Sequence, residues 1–278
     1  MSLSQLPEEL IDEICFKAIK RLCGNSFIVD ANSLRDLALT SKKFLPSAQR
    51  ALYYSPFEVI QIHYSRSGSL TLLHTLGAGD NRFGRLVRTT EGIAHWMTSI
   101  DSRDQELVRD SDDWYRKILE VCPRLQEAEV SFIKRDGMKK VFELLPTSIP
   151  TLRSLKFSSR KEHESELDWK IVLETMRQYP FSSLDSVQFI TPLWLPENLN
   201  ASEIPSFPAS IRNLAIHAGQ HSMSNCKLLF PSASPTVEVL NFVGMTERDS
   251  LELLELPTVL GSNLRYLHLH YGIWAPDV

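Results

Sequence analysis

The side chains best suited to metal or nucleophilic chemistry in this sequence are eight histidines and four cysteines. His217 and His221 are four residues apart, a spacing that on a helix would set both imidazoles on one face for a metal. Ala215-Ile216-His217 reads as a strand instead, Gly219 interrupts the run, and no third ligand lies nearby, so a metal site is not expected. His268 and His270 alternate with Leu267 and Leu269 and should share the solvent face of one strand, a contact patch that changes charge near neutral pH. Cys15, Cys23, Cys122 and Cys226 form no Cys-x-x-Cys pair. Two of them fall inside apolar helical patterns, where the thiol acts as a small hydrophobe. Gly77-Ala78-Gly79 with Gly84 lacks the Gly-Lys-Ser/Thr ending of a phosphate loop and reads as a turn. No Gly-x-Ser-x-Gly elbow occurs. Asp112, Asp113 and the acids of Glu162 to Glu166 sit among polar neighbours and read as solvated faces. These readings predict a binding protein, not an enzyme, with no cofactor and no metal.

The bulk properties agree with that class. The chain has 278 residues, 43% hydrophobic and 23% charged, an ordinary globular balance with room for a small module and a larger domain. Its net charge is -4, from 30 basic and 34 acidic residues without a run of one sign. A basic stripe of the kind that holds phosphates is missing, so nucleic acid is not an expected partner. The opening MSLSQLPEEL has neither a basic nor an apolar leader region, and no stretch is long and apolar enough to span a bilayer. Membrane contact is therefore not expected, and unpaired cysteines suit the cytoplasm or nucleus. The sequon Asn200-Ala201-Ser202 is read as incidental.

The elements that would position any binding surface announce themselves by repetition. One phrase, apolar-x-x-apolar-x-apolar, recurs at Leu125, Ala128, Val130; Leu152, Leu155, Phe157; and Leu184, Val187, Phe189. It continues at Ile211, Leu214, Ile216; Val237, Leu240, Phe242; and Leu264, Leu267, Leu269. First members are 27, 32, 27, 26 and 27 residues apart, a near-constant period. The last two anchors of each copy are two apart, so they point to one face of a short strand. Between copies, Trp114 to Val121, Met138 to Leu145 and Trp169 to Tyr179 have helical spacing. A unit with one apolar strand face and one apolar helix face buries both only by stacking on its neighbours. The prediction is an α/β chain with a parallel sheet on one side and outer helices on the other. A strand-like stretch at Phe57, Ile60 and Ile62, a first degenerate repeat around Leu86-Val87, a loop from Gly77 to Gly84 and an irregular loop from Pro192 to Pro208 complete this part. No polar capping unit follows the last triplet, which leaves three readings: a fragment, a short gene product, or a protein with an exposed edge.

The first 55 residues read differently. Pro7 suits a first helical position, and Glu8 and Glu9 favour the helix dipole. Leu10, Ile11, Ile14, Ala18 and Leu22 follow at steps of three and four, which predicts a helix over residues 7–22 ended by Gly24 and Asn25. A second helix is expected from a Ser33/Asp36 capping pair, carrying Leu34, Leu37, Ala38, Ser41, Phe44 and Leu45. Pro46 should break it, with a short third helix at Ser47 to Leu52. So small an apolar unit should present a patch to a partner.

These residues carry a family resemblance. Leu6-Pro7-Glu8-Glu9-Leu10 with Ile14, followed by Leu34-Arg35-Asp36-Leu37-Ala38-Leu39-Thr40-Ser41-Lys42-Lys43-Phe44, resembles an F-box. Thr40 and Phe44 stand where Val and Trp are common, and Gly24 to Asn32 is longer than the usual link between the halves. The resemblance implies docking on the Skp-type adaptor of a cullin ubiquitin ligase (SCF), with Leu6, Pro7, Leu10, Ile14, Leu34, Leu37 and Lys42 at or near the adaptor. The triplets behind it are similar to a leucine-rich-repeat horseshoe, although the usual Asn or Cys after the strand is replaced by Ile133, Arg160, Pro192, Gly219, Met245 and Gly272. The combination resembles F-box proteins of mushroom-forming fungi. It implies a three-helix F-box module over 1–55 and a curved, leucine-rich-repeat-like solenoid over 56–278 that recognises a substrate protein for the ligase. A protein-binding scaffold outside any ligase is the other reading.

Residues between the anchors should form the concave, partner-facing side of the sheet. From these, Lys156, Gln188, Asn213, His217, Asn241, Tyr266, His268 and His270 are the expected contacts with a protein target. The surface runs from Glu127 and Glu129 to Tyr266 and the histidines, neither basic nor glycine-rich.

Overall fold

The computed structural model describes residues 5–23, 26–29, 31–57, 66–90 and 111–132, and, beyond these, 141, 143–145, 149–159, 172, 174, 176, 178, 181, 183–190, 210–217, 236–245 and 263–271. The chain divides into two compact units, Met1–Leu125 and Gln126–Val278.

In the first unit, α1 (Glu8–Ile19) leads into the strands β1 (Lys20–Cys23) and β2 (Ser26–Val29), followed by α2 (Ala31–Thr40) and α3 (Leu45–Tyr54). The helix expected to run to residue 22 thus stops at Ile19. Residues 20–23 pair antiparallel with 26–29, Cys23 opposite Ser26. A Gly-Asn pair flanked by Leu22, Phe27, Ile28 and Val29 is a hairpin signature, and cross-strand pairing of these β-formers outweighs one more helical turn. Helix α2 begins at Ala31, so Ser33 lies inside it and does not cap it. Pro46 sits in the first turn of α3, where its missing N–H is harmless, so it opens that helix.

The three helices close on Ile11, Cys15, Leu34, Phe44, Ala48 and Ala51, with Leu6, Phe16, Ala18, Leu37, Ala38 and Leu52 packed around them. Each large side chain fully buried this way contributes about 1.5–3 kcal/mol. Polar contacts fix the packing. Arg50 Nη2 on α3 donates to Asp12 Oδ1 at 2.6 Å, to Glu8 Oε1 at 2.8 Å and to Ser47 Oγ at 3.1 Å. Lys43 Nζ donates to the Leu6 carbonyl at 2.6 Å.

The boundary expected at 55/56 falls inside this unit. The Tyr54 carbonyl accepts the N–H groups of Arg88 and Thr89, and the Tyr53 ring stacks on Phe83 at 4.6 Å. Phe57 and Val87 are buried. Helix α4 (Arg66–Asn81) loses helical geometry at Ala78, and Gly79, Asp80 and Asn81 all have positive φ. The expected loop is therefore a helix to Gly77, a left-handed turn and a 3-10 turn at Gly84–Leu86. Leu86 ends that turn and Val87 is extended, and neither belongs to a strand of the parallel sheet. A Cβ on Gly84 would lie 1.9 Å from the carbonyl oxygen of Val121, the last residue of α5 (Ser111–Val121), so this crossing requires glycine. Tyr115, Ile118, Leu119 and Cys122 recur at helical spacing and are buried.

The second unit holds a six-stranded parallel sheet, β3 (Glu127–Phe132), β4 (Ser154–Ser159), β5 (Ser186–Phe189), β6 (Asn213–His217), β7 (Val239–Met245) and β8 (Tyr266–Tyr271), in the order of the chain. The triplets fall into register. Ala128, Leu155, Val187, Leu214, Leu240 and Leu267 form one row across the sheet. Val130, Phe157, Phe189, Ile216, Phe242 and Leu269 form a second row on the same face. The first five members of each row are at most 2% exposed. Residues 141, 143–145, 172, 174, 176 and 178 are helical, with Val141, Leu145, Val172 and Met176 buried at steps of four. The expected α/β class and parallel sheet are therefore present. The stretches 58–64 and 192–208, expected as a strand and an irregular loop, lie outside the described residues, as does the sequon at 200–202.

Candidate functional site

Two surfaces are candidates, one in each unit. On α1, the 3.6-residue period turns Ile11 and Cys15 into the core and leaves Leu10 and Ile14 outside at 45% and 38% exposure. The pair is four apart, one turn above the other, and forms an apolar stripe. Pro7 and Lys42 are also exposed, and Leu6 is half-buried. Leu37 packs against the helical core. Leu34, expected at or near the adaptor face, is 2% exposed and packs in the core with Ile11 and Phe44. Leu39, which helical spacing did not single out, is the most exposed large hydrophobe described, at 78%.

The electrostatics of this module hold its helices together. Burial would push the Asp12 carboxyl up, but hydrogen bonds from Ser47 and Arg50, with the Arg50 charge, outweigh it and hold the group below its ordinary value. The hydrogen bond to Asp12 leads the causes that raise Arg50, so both partners are held in their charged forms. Burial pushes the Cys15 thiol up, with the Asp12 charge adding to it, and pushes Cys122 up to about 12. Neither buried thiol is poised as a nucleophile.

On the sheet, residues between the anchors share the opposite face by strand alternation. The eight expected contacts are brought onto it in three rows. Lys156, Gln188, Asn241 and His268 stand in one row, which also contains Glu129 and Ala215. Asn213 and Tyr266 stand in the row below, and the strand positions of His217 and His270 in the row above. From Lys156 to His268 the middle row spans about 20 Å at the usual strand spacing. Exposure rises along it. Glu129 is 8% exposed, Lys156, Gln188 and Asn241 are half-buried, and His268 is exposed. The Tyr266 ring stacks on His268 at 6.5 Å and is 60% exposed. Ser154, at the start of β4 in the lower row, is 8% exposed, and its hydroxyl has no hydrogen-bond partner among the described residues. A buried hydroxyl left so costs about 1–3 kcal/mol. His221, the second half of the possible metal pair, lies outside the described residues. Among the described residues, no group of three His, Cys, Asp or Glu is placed to hold a metal ion.

The sequence carried one further signal that apolar spacing alone does not reveal. The residue after each first anchor is Gln126, Arg153, Asp185, Arg212, Glu238 or Arg265, alternating in sign from Arg153 onward. These residues immediately precede the strands. Each carbonyl in the series accepts two N–H groups from the next copy: Gln126 from Arg153 and Ser154, Arg153 from Asp185 and Ser186, and so on to Glu238 from Arg265 and Tyr266. The Arg212 guanidinium donates to Glu238, and Arg265 Nη1 lies 3.8 Å from the other oxygen of that carboxylate.

Fold and surfaces define a mixed α/β chain with a six-stranded parallel sheet and several helices. Compared with known proteins, the chain matches no family model and no curated protein. Among the described residues, no helix is long and apolar enough to cross a membrane.

Proposed function

We propose that the chain is the substrate-recognition subunit of an SCF-type cullin ubiquitin ligase. The helices over 1–55 act as a three-helix F-box module and dock a Skp-type adaptor through Pro7, Leu10, Ile14 and Lys42. Leu6 and Leu37 shape that face, and Leu34 supports it from within. The repeats act as a curved, leucine-rich-repeat-like solenoid whose non-anchor face holds a protein target in the cytoplasm or nucleus. The chain itself makes and breaks no bond, and ubiquitin transfer is done by an associated conjugating enzyme. The observation that carries the reading is the exposed Leu10/Ile14 stripe on a helix opening Leu-Pro-Glu-Glu-Leu, in a chain whose six strands then follow in register.

The experiment is adaptor capture by the whole chain and by Leu10→Asp/Ile14→Asp. Both positions are exposed, so circular dichroism should show the fold retained. Capture should fall at least about tenfold, since two apolar contacts of about 1 kcal/mol or more are replaced by charges. Equal capture by both proteins would sink adaptor docking through this stripe. The β1–β2 hairpin between the two halves of the motif favours a second reading, a target-binding scaffold outside any ligase. Stable target binding without target ubiquitylation would select it.

A further inference from the structure

Within the first unit, the fold sets two arginines beside each other, and no acid among the described residues pairs with either. Gly84 crosses the end of α5 so closely that a Cβ there would collide with the Val121 carbonyl. Arg85 and Arg88 follow that glycine, and Arg124 follows Val121 by three residues. The backbone N–H groups of Arg88 and Thr89 donate to the carbonyl of Tyr54, the last residue of α3, which ties the segment down from its other side. Arg88 is half-buried, whereas Arg85 and Arg124 are exposed. Burial lowers the Arg88 pKa and the nearby Arg124 charge lowers it further, with the Tyr54 phenol acting the other way.

The main chain fixes the Arg88 guanidinium. Its Nη1 donates to the Arg85 carbonyl at 2.7 Å and to the Val87 carbonyl at 3.1 Å. Among the described residues, nothing accepts from its Nε or Nη2, and these two nitrogens form the fork that holds two oxygens of one oxyanion. Glu120, in the last turn of α5, lies 4.0 Å from Arg116 and is engaged there. A helix C-terminus favours a nearby cation, which accounts for Arg124 after α5. It does not account for a second, half-buried cation, because desolvation and repulsion both disfavour that charge. An anion held by the pair offsets both. A carboxylate brings one charge and two oxygens. A phosphate monoester brings a charge of about -1.5 to -2 and three acceptor oxygens, which suits two guanidinium groups.

We propose that Arg88 and Arg124 form a binding site for the doubly charged phosphate group of a phosphate monoester. The Nε–Nη2 fork of Arg88 takes two of its oxygens, and Arg124 supplies the second positive charge. The site uses none of the residues assigned to the adaptor or to the target face, and it stands whether or not those assignments do.

The test uses the whole chain at low ionic strength and three probes: inorganic phosphate, a blocked Gly-Ala-phosphoserine-Ala-Gly peptide, and the same peptide with Glu in place of phosphoserine. Titration calorimetry should show saturable phosphate binding with a Kd on the order of 1 mM or below. Arg124→Gln, at an exposed position that leaves the fold intact, should weaken it about tenfold, the loss of one charge-assisted contact. Arg88→Lys keeps the charge but loses the fork and should weaken it by a similar factor, about tenfold. Arg35→Gln removes an exposed cation from α2 and should bind phosphate as the wild type does. A phosphopeptide held more than about tenfold tighter than phosphate would assign the site to a phosphorylated partner chain, and a smaller difference to a free phosphorylated molecule. No saturable binding at about 10 mM phosphate would overturn the proposal. So would equal binding of the Glu peptide and the phosphopeptide, or phosphate binding unchanged in Arg124→Gln.

Discussion

Arg50 on α3 grips Asp12 on α1 with two nitrogens, Nη2 at 2.6 Å and Nε at 3.2 Å from the same carboxylate oxygen, across 38 residues of sequence. The same guanidinium reaches Glu8 and Ser47, so one side chain fixes the angle between the first and third helices. That angle decides which side of α1 faces inward, and hence that Leu10 and Ile14 face out.

Asp12→Asn should therefore destabilise the first unit at neutral pH. Both side chains are about one-third exposed, so solvent screening limits the loss to about 1 kcal/mol or less. The Asp12 pKa is lowered on folding, so its contribution is present above the ordinary value of 3.8 and is lost as pH falls through the lower folded value. Urea unfolding followed by helical circular dichroism should show a gap between wild type and variant at pH 7 that closes as pH falls below 3.8 and through the lower folded value. A gap independent of pH would refute the linkage.

Phe157 and Leu267 test the burial gradient along the sheet. Phe157 is fully buried and stacks on Phe189 at 5.1 Å, so Phe157→Ala should cost about 3–5 kcal/mol. Leu267→Ala, at an anchor position already 40% exposed, should cost about 1 kcal/mol or less. Denaturant midpoints of the two variants should differ accordingly, and equal losses would mean that β8 is covered in solution.

Two glycines near the end of α4 should respond oppositely. Gly84→Ala drives a methyl group into the Val121 carbonyl and should cost about 2–4 kcal/mol, because only backbone movement relieves it. Gly77→Ala meets nothing closer than the Val121 side chain at 3.4 Å and gains helix propensity, so it should be neutral or stabilising by up to about 1 kcal/mol. Thermal melts of both proteins check this pair together.

Cys122 should be silent to thiol reagents in the native protein. Burial raises its pKa to about 12, so the thiolate is scarce at pH 8, and access is closed as well. Labelling with iodoacetamide and peptide mass mapping should find Cys15 and Cys122 unmodified until urea unfolds the chain. Rapid native labelling of Cys122 would contradict its burial directly after α5.

Glu238→Gln tests the charge series at the start of the strands. The carboxylate serves Arg212 and Arg265 together but lies among exposed groups, so the loss should stay at or below about 1 kcal/mol and shrink at 1 M salt. Unfolding curves at low and high salt measure both effects.

Much of the second unit was readable before folding because its information is local and repeated. Leu155 and Phe157, or Leu214 and Ile216, reveal a strand face by their spacing of two, and the shared period forces neighbouring copies to stack. The sign alternation at Arg153, Asp185, Arg212, Glu238 and Arg265 was equally present in the sequence, but acquires meaning only once these residues are known to be adjacent. The first unit is less legible in its sequence. Lys20–Cys23 continued a helical pattern until Phe27, Ile28 and Val29 offered a pairing surface, and spacing placed Leu10, Ile11 and Ile14 on one face although the packing separates them.

The sequence by itself determined the period, the parallel order of the strands and the two apolar rows, because side-chain direction within a strand follows from the backbone alone. Tertiary structure decided which apolar residues are covered: Leu34 and Ile11 inside, Leu10, Ile14 and Leu39 outside, and Leu267 partly exposed while Leu240 is sealed. Burial belongs to the neighbour as much as to the residue, and the spacing of residues along one segment does not say which neighbour arrives, or at what angle.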